Sequence, residues 1–308
     1  MQNYLRIGLI QPVIDPDISW NSKKKFRRFD TDGKTKLSTY SLNIDPFTAE
    51  RVWKEILEGL KLMLKMEEKP HLILIPELHL PVSKIGLIRK FSRKHSVVII
   101  AGVDFQRNPT DPSKIRNRGI IAIPNKWGTK DFSTRETTLH FGKTFFTYME
   151  KCMFKNIEGV QCYEDQEQNM YVFKSSRFGN FGIMICSDIF DIERMMLYQA
   201  KIHHLFIISL NKDLNTYFSM AESLSRLIYC NVVVCNTGHF GGSIVVSPYK
   251  DSNDRLIYRY HGQKMFNTQV VSIPVKAMDE AQDYDYSFTN ARSKFKASPP
   301  GYFGKKSK

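Results

Sequence analysis

The chain has 308 residues, 42% hydrophobic and 25% charged, which favours a substantial core and argues against wholesale disorder. No apolar run approaches the roughly 20 residues that span a bilayer, and the first residues lack the cationic start and long apolar stretch of a secretory signal. Five cysteines without metal-type spacing fit neither a disulfide scaffold nor a zinc ribbon. We therefore expect a cytoplasmic protein with no bound metal and no membrane contact.

The charge balance is 45 basic against 31 acidic residues, a net charge of +14. The excess is concentrated in two stretches that are poor in aliphatic residues. We predict that the first is a solvated basic insertion at about residues 15–44 and the second a basic, flexible tail at residues 284–308. Such charge permits contact with nucleic acid or with a partner protein.

Strands and helices alternate along the first half of the chain. Asp45 suits a helix N-cap and Pro46 the first helical position, and apolar residues then recur at three- and four-residue spacing as far as Met63. A second helix is predicted over 85–95. The predicted strands are Arg6–Ile10, His71–Ile75 (closed by Pro76), Val97–Val103, Gly119–Ile123 and Phe145–Tyr148.

The second half repeats this alternation. Helices are predicted over 191–201 and 217–229. The predicted strands are Met170–Lys174, Phe181–Ile185, Leu205–Leu210, Asn231–Asn236, Gly241–Val246 and Gln269–Ile273. Because continuous apolar strands alternate with helices, the sequence predicts an α/β fold whose sheet is buried on both sides. No internal linker is evident, so we expect one domain.

Three residues that could carry chemistry occur at or near predicted strands. Glu77 comes directly after an apolar strand and a proline, where a sheet edge can open onto a site. Cys186 lies where a strand gives way to a turn, a position that can display a nucleophile and lower a thiol pKa. Lys151 falls on the more buried face of a predicted strand, where a lysine needs a partner or a role.

The segments that contain these residues, LILIPELHLP, TYMEKCMF and FGIMICSDIFD, resemble the three signature segments of the nitrilase, or carbon–nitrogen hydrolase, superfamily. That family uses a glutamate, a lysine and a cysteine in this chain order. Flanking stretches such as IGLIQP, VVIIAGVDF and the later GGS are also similar to family segments. The resemblance covers residues from about 5 to 275, and we assign residues 1–283 to a nitrilase-like domain.

The resemblance implies a four-layer α-β-β-α sandwich with two six-stranded sheets packed face to face. It also implies that Glu77 is a general base, Lys151 an oxyanion stabiliser and Cys186 the nucleophile of a thioester mechanism. Glu158 matches the spacing of a second family glutamate that positions the lysine. A register shifted to Lys143 and Glu150 has the same spacing and stays open. No cofactor is needed, and a homodimer or larger homo-oligomer is expected.

Two functions compete. The first is hydrolysis of a small amide, an N-carbamoyl compound or a nitrile. The second is a nitrilase-like module that acts mainly by contacting nucleic acid or a partner protein through its basic insertion and tail. A steep fall of duplex binding with salt would favour the second.

Overall fold

The computed structural model describes residues 1–20, 42–155, 157, 160–163, 169–283 and 293–302. Within this part of the chain the strands are β1 (Tyr4–Gln11), β2 (Leu72–Leu80), β3 (Val98–Arg107), β4 (Lys114–Pro124), β5 (Glu136–Gly142), β6 (Gln161–Cys162), β7 (Val172–Phe173), β8 (Phe181–Ile185), β9 (His204–Ser209), β10 (Asn231–Asn236), β11 (Ile244–Val246), β12 (Leu256–Arg259) and β13 (Asn267–Pro274). The α-helices are α1 (Pro16–Ser19), α2 (Pro46–Lys65), α3 (Ile85–His95), α4 (Tyr148–Lys155), α5 (Ile192–Met196), α6 (Leu214–Leu224), α7 (Ser252–Arg255) and α8 (Lys276–Ala281).

The strands form two sheets. One sheet has the order β13-β1-β2-β3-β4-β5, with the two-residue strand β6 added beside β4, and the other has the order β12-β11-β10-β9-β8-β7. Strands β1, β2 and β3 are parallel, as are β8, β9 and β10, whereas β4 and β5 each run antiparallel to the strand before them. The predicted α/β class is confirmed, although the described residues of the first sheet form seven strands rather than six.

The two sheets pack face to face because alternate residues of their strands point to opposite sides. Leu72 and Leu74 of β2 lie in a core that also contains side chains of β8, β9 and β10. Their neighbours Ile73 and Ile75 point to the other side and pack with residues of α2 and α3. This sheet has helices on one face and the second sheet on the other, so its strands need apolar side chains on both faces.

Helix α2 begins as predicted. The Asp45 carboxylate accepts hydrogen bonds from the backbone N–H groups of Phe47 and Thr48, and Pro46 occupies the first turn, where its missing N–H costs nothing. Val52, Ile56, Leu60 and other residues of the predicted apolar face are buried. The local sequence signal and the tertiary contacts agree for this helix.

Both ends of the basic insertion are attached to one buried carboxylate, Asp104 of β3. Near one end, Trp20 donates its indole N–H to Asp104 over 3.0 Å, and at the other end Asn43 and the backbone N–H of Ile44 donate to the same carboxylate. Residues 21–41 lie outside the described residues. The predicted contacts of this insertion with nucleic acid or a partner protein stay predictions, as does the homo-oligomer.

The C-terminal region is partly described, and the described part contacts the rest of the chain. Phe295 stacks on Tyr249 at 4.6 Å between ring centroids, and Tyr302 meets the ring of Tyr229 edge-on. Within residues 293–302, aromatic side chains thus contact the rest of the chain, and the flexible tail predicted over 284–308 stays a prediction. Residues 284–292 and 303–308 lie outside the described residues.

None of the helices in the described part of the chain is both long and apolar enough to cross a membrane. The described residues also contain no group of three or more His, Cys, Asp or Glu side chains that could hold a metal ion.

Candidate active site

Glu77 lies at an irregular point of β2 rather than after its end. The strand continues through Pro76 to Leu80, and its pairing with β3 shifts between Ile75 and Leu80. Leu78 has a φ of 62°, in the left-handed region that β-branched or bulky residues rarely adopt. This kink turns the backbone beside Glu77, whose side chain is buried.

The adjacent strands bring two further polar residues to Glu77. Strand β5 is antiparallel to β4, which is antiparallel to β3, so the end of β5 reaches the same edge of the sheet as the kink in β2. Lys143 follows β5 directly, and its N–H donates to the carbonyl of Asn117 on β4. Lys143 and Asn117 are thereby held side by side, facing Glu77.

From the described residues, the carboxylate of Glu77 accepts three hydrogen bonds. Its Oε1 accepts from Lys143 Nζ at 2.9 Å and from Asn117 Nδ2 at 2.7 Å. Its Oε2 accepts from the backbone N–H of Leu210 at 2.9 Å. A carboxylate has about four lone-pair positions, so one position on Oε2 stays open to another donor. Leu210 follows β9, which means that the second sheet also takes part in the site.

Glu150 completes a buried cluster. Its Oε2 accepts from Lys143 Nζ at 2.8 Å, and its Oε1 accepts from Asn117 Nδ2 at 3.0 Å. Lys143 is thus held between two carboxylates with a side chain that is 1% exposed. A buried charge requires such partners.

Lys151 does not lie in this cluster, and its predicted role in the site stays a prediction. The segment predicted as a strand over 145–148 leads instead into helix α4, on which Lys151 is exposed. The reason is a reciprocal cap: Thr147 donates its N–H to the Glu150 carboxylate, and Glu150 donates its N–H to Thr147 Oγ1. The Lys143 and Glu150 register, left open by the sequence, is the one that the geometry favours. Glu158 lies outside the described residues.

Cys186 follows β8 directly and opens a short 3-10 turn over Cys186–Phe190. Its φ of 47° is in the left-handed region, a strain that turns the side chain away from the path of the strand. Asp188 of the same turn accepts from the backbone N–H groups of Thr144 and Phe145. The cysteine turn and the segment that carries Lys143 are therefore tied together.

Charges in the site act strongly on one another. Burial raises the pKa of Cys186 to about 12, and the Glu77 carboxylate adds to this effect while Lys143 opposes it. Burial alone would lower the pKa of Lys143, but Glu77 and Glu150 outweigh it and raise that pKa well above its usual value. The resting site therefore holds a neutral thiol and a protonated lysine.

A pocket of about 550 Å³ adjoins the cysteine turn. Its lining comes from the segment before α4 and from the turn around α5, and consists of Phe145, Phe146, Thr147, Ser187, Phe190, Asp191, Glu193 and Arg194. Its size lies within the range usual for sites that hold small molecules.

Two contributors to the site went unnoticed in the sequence: Asn117 and the backbone N–H of Leu210. Asn117 lies in a segment, RNRGIIAI, that the family resemblance did include, but no role was given to it. The N–H of Leu210 has no sequence signal, because any residue but proline carries one.

Gly102 of β3 leaves the space that the backbone of Glu77 occupies. A Cβ on residue 102 would lie 2.3 Å from Glu77 Cα and 2.5 Å from the carbonyl oxygen of Pro76. We expect Gly102→Ala to displace Glu77 and to lower turnover on the order of 100-fold, the effect of a 1 Å misplacement. The matched control is Gly86→Ala on α3, where an added Cβ meets nothing within 4 Å. Steady-state kinetics of both variants check this, and an unchanged kcat for Gly102→Ala would contradict it.

Fold and site together define the class to which the protein belongs: two stacked sheets flanked by helices, with a cysteine, a lysine and two glutamates gathered where the sheets meet. The family model described as carbon-nitrogen hydrolase matches residues 40–251. The chain therefore belongs to the carbon–nitrogen hydrolase family, within the nitrilase superfamily that the sequence resembled. No curated protein sequence gives a significant match.

Solved structures agree on the fold. An amidase from Nesterenkonia sp. AN1 is similar with a TM-score of 0.57 at 13% identity, over 88% of this chain and 93% of that one. A variant of that amidase with the acetamide moiety of fluoroacetamide covalently added at its active-site cysteine is similar with a TM-score of 0.59 at 12% identity, over 88% and 91%. Nit3 of Saccharomyces cerevisiae, from branch 10 of the nitrilase superfamily, gives 0.57 at 14% identity, over 89% and 91%. At these identities the likeness concerns the fold.

Proposed function

We propose that the protein hydrolyses a non-peptide carbon–nitrogen bond of a small amide, N-carbamoyl compound or nitrile through a thioester on Cys186. The observation that carries this proposal is the burial of Glu77, Lys143 and Glu150 in one hydrogen-bonded cluster beside a strained, buried cysteine. A mere structural ion pair would not need a cysteine in the left-handed region at its side.

The first step moves the thiol proton of Cys186 to Glu77. The open lone pair on Glu77 Oε2 accepts this proton, the S–H electron pair stays on sulfur, and the thiolate attacks the carbonyl or nitrile carbon. A base in place is needed because a thiol with a pKa near 12 is almost never ionised near neutrality.

The second requirement is a donor for the negative oxygen that then develops. A lysine ammonium has three N–H donors, and Glu77 and Glu150 occupy two of those on Lys143. The third can donate to the substrate oxygen, together with backbone N–H groups of the turn after Cys186. Glu150 holds Lys143 in place.

With an amide or N-carbamoyl compound, Glu77 then returns its proton to the leaving nitrogen, and ammonia or an amine departs from the tetrahedral intermediate. With a nitrile, that proton goes to the nitrogen of a thioimidate, a water adds to its carbon, and ammonia then departs to leave the same thioester. In the second half-reaction Glu77 takes a proton from water, whose oxygen attacks the thioester carbon. The C–S bond breaks, the proton returns to sulfur, and a carboxylic acid is released. The protein groups end in their starting states.

We place amides first among the substrates. Amide hydrolysis is the activity that the family resemblance most often implies, and the structurally similar enzyme from Nesterenkonia is an amidase. The pocket beside the cysteine turn is of a size suited to a small acyl group or amine.

The test is ammonia release from a panel of short aliphatic amides, nitriles and N-carbamoyl amino acids, with Cys186→Ala as the control. We expect release by the wild type and none by the variant. Acid quenching followed by mass spectrometry should find the acyl group on the peptide that contains Cys186. Ammonia release that survives in Cys186→Ala would refute the proposal.

A further inference from the structure

Tyr217 of α6 contacts the nucleophile directly. Its hydroxyl oxygen lies 3.2 Å from Cys186 Sγ, and Tyr217 is the hydrogen-bond partner that Sγ has among the described residues. The side chain is 3% exposed and its ring packs edge-on against Phe190 of the cysteine turn. Position and orientation of the phenol are therefore defined by packing.

We infer that Tyr217 is a further catalytic residue, whose hydroxyl donates a hydrogen bond to the Cys186 thiolate as it forms and again when the thioester breaks. This inference rests on the proposed function. It adds a group from helix α6 to the glutamate, lysine and cysteine that the resemblance implies.

The geometry defines the direction of this hydrogen bond. While Cys186 is a thiol, either atom can be the donor. Once Glu77 has taken the proton, sulfur carries only lone pairs, so the phenol must donate. Burial raises the pKa of Tyr217 far above its usual value, and the negative charges of Cys186 and Glu77 add to this, so the phenol keeps its proton while the thiolate exists.

The other charged groups around Cys186 Sγ either repel a thiolate or are already paired with one another. Glu77, on β2, and Glu150, on α4, repel a thiolate, and Lys143, after β5, attracts it but is shared by the two carboxylates. A neutral donor from α6 is thus the group whose contact with sulfur improves as charge develops there. In the proton transfer the S–H bond breaks and an O–H bond forms on Glu77, while Tyr217 keeps its own proton.

The experiment measures alkylation of Cys186 by iodoacetamide across pH, mapped by mass spectrometry, without any substrate. We expect Tyr217→Phe to slow this reaction roughly 10- to 100-fold, the effect of losing a hydrogen bond to a charged group. The phenyl ring keeps its packing. Tyr229→Phe is the matched control, since its buried hydroxyl bonds to the carbonyl of Lys296 and lies outside the site.

A second measurement covers the case in which Tyr217→Phe is poorly folded. Replacing Tyr217 by 3-fluorotyrosine keeps the hydroxyl and strengthens it as a hydrogen-bond donor. The protein that contains 3-fluorotyrosine is compared with the wild type. We expect faster alkylation when 3-fluorotyrosine replaces Tyr217 alone, and an unchanged rate when it replaces Tyr229 alone. Ultraviolet titration of the thiolate in Glu77→Gln, with and without Tyr217→Phe, should show a higher thiol pKa without the hydroxyl.

The outcomes separate this inference from the proposed function. If wild-type Cys186 is no more reactive than the core thiols Cys230 and Cys235, the proposed function fails. A different result would overturn only the role of Tyr217. In that case Cys186 is reactive and Glu77→Gln changes its alkylation rate, but Cys186 of Tyr217→Phe is alkylated at the wild-type rate or faster and its thiol pKa is unchanged.

Discussion

Replacing Lys143 by methionine is expected to abolish turnover, whereas the same change at Lys151 leaves it close to wild type. Methionine keeps the length of the side chain but removes the charge and all three donors. Loss of one oxyanion donor costs about 10²- to 10³-fold in kcat, and Lys143 is also the partner of both carboxylates. The combined effect on kcat should be at the upper end of that range or beyond it.

The stability of the two variants should differ in the same direction. Lys143→Met leaves the buried carboxylate of Glu77 and the partly exposed carboxylate of Glu150 without their cation, and removing one partner of a buried ion pair destabilises a fold by about 3–5 kcal/mol. Lys151 is exposed on α4, where substitutions usually change stability by no more than about 0.5 kcal/mol. Urea denaturation and ammonia release from the same preparations measure both effects. A dead Lys151→Met beside an active Lys143→Met would restore the register that we first predicted.

Glu77→Gln is expected to produce the second largest effect, and its signature is a change in pH dependence. Turnover should fall about 10²- to 10⁴-fold, because glutamine cannot take the thiol proton or return it to the leaving nitrogen. The amide oxygen of the glutamine can still accept from Asn117 and Lys143 at the Oε1 position, while its NH2 group faces the Leu210 N–H, so we expect the fold to be retained with some loss of stability.

The pH dependence of the Cys186 alkylation rate shows why turnover falls in Glu77→Gln. In the wild type the thiol proton passes to Glu77 and stays in the pair, so the rate should be nearly independent of pH wherever Glu77 is ionised and Cys186 is a thiol. In Glu77→Gln the proton must leave to solvent, so the rate should rise about tenfold per pH unit as pH rises toward the thiol pKa. Removing the negative charge of Glu77 also lowers that pKa, since the carboxylate raises it in the wild type.

At high pH, Cys186 of Glu77→Gln can therefore be alkylated as fast as Cys186 of the wild type, while the variant still turns over no substrate. The matched control is Glu55→Gln on α2, a carboxylate that accepts from the backbone of Val13 and pairs with Arg51 far along the chain from the cysteine. Identical pH slopes for wild type and Glu77→Gln would show that Glu77 does not exchange a proton with Cys186.

Local patterns were sufficient for much of the fold. The bounds predicted for β8 and β10 match the structure, and the Asp45-Pro46 cap marks the start of α2, because strand alternation and helix caps depend on residues close in sequence. The local signal at Thr147 and Glu150 was equally available. This capping box predicts a helix where we assigned a strand, although it does not indicate which lysine meets Glu77.

Patterns within the sequence are enough to predict the α/β class, the family resemblance and a role for Glu77 and Cys186, because each of these two residues lies at or after a recognisable apolar strand. Only the tertiary structure decided which lysine meets them, because that depends on β5 pairing with β4 and ending at the edge where β2 is kinked. It likewise brought in the backbone N–H of Leu210, which follows β9, and the hydroxyl of Tyr217 on α6. These contacts join residues distant in the chain, and no local spacing encodes the packing of one sheet on another.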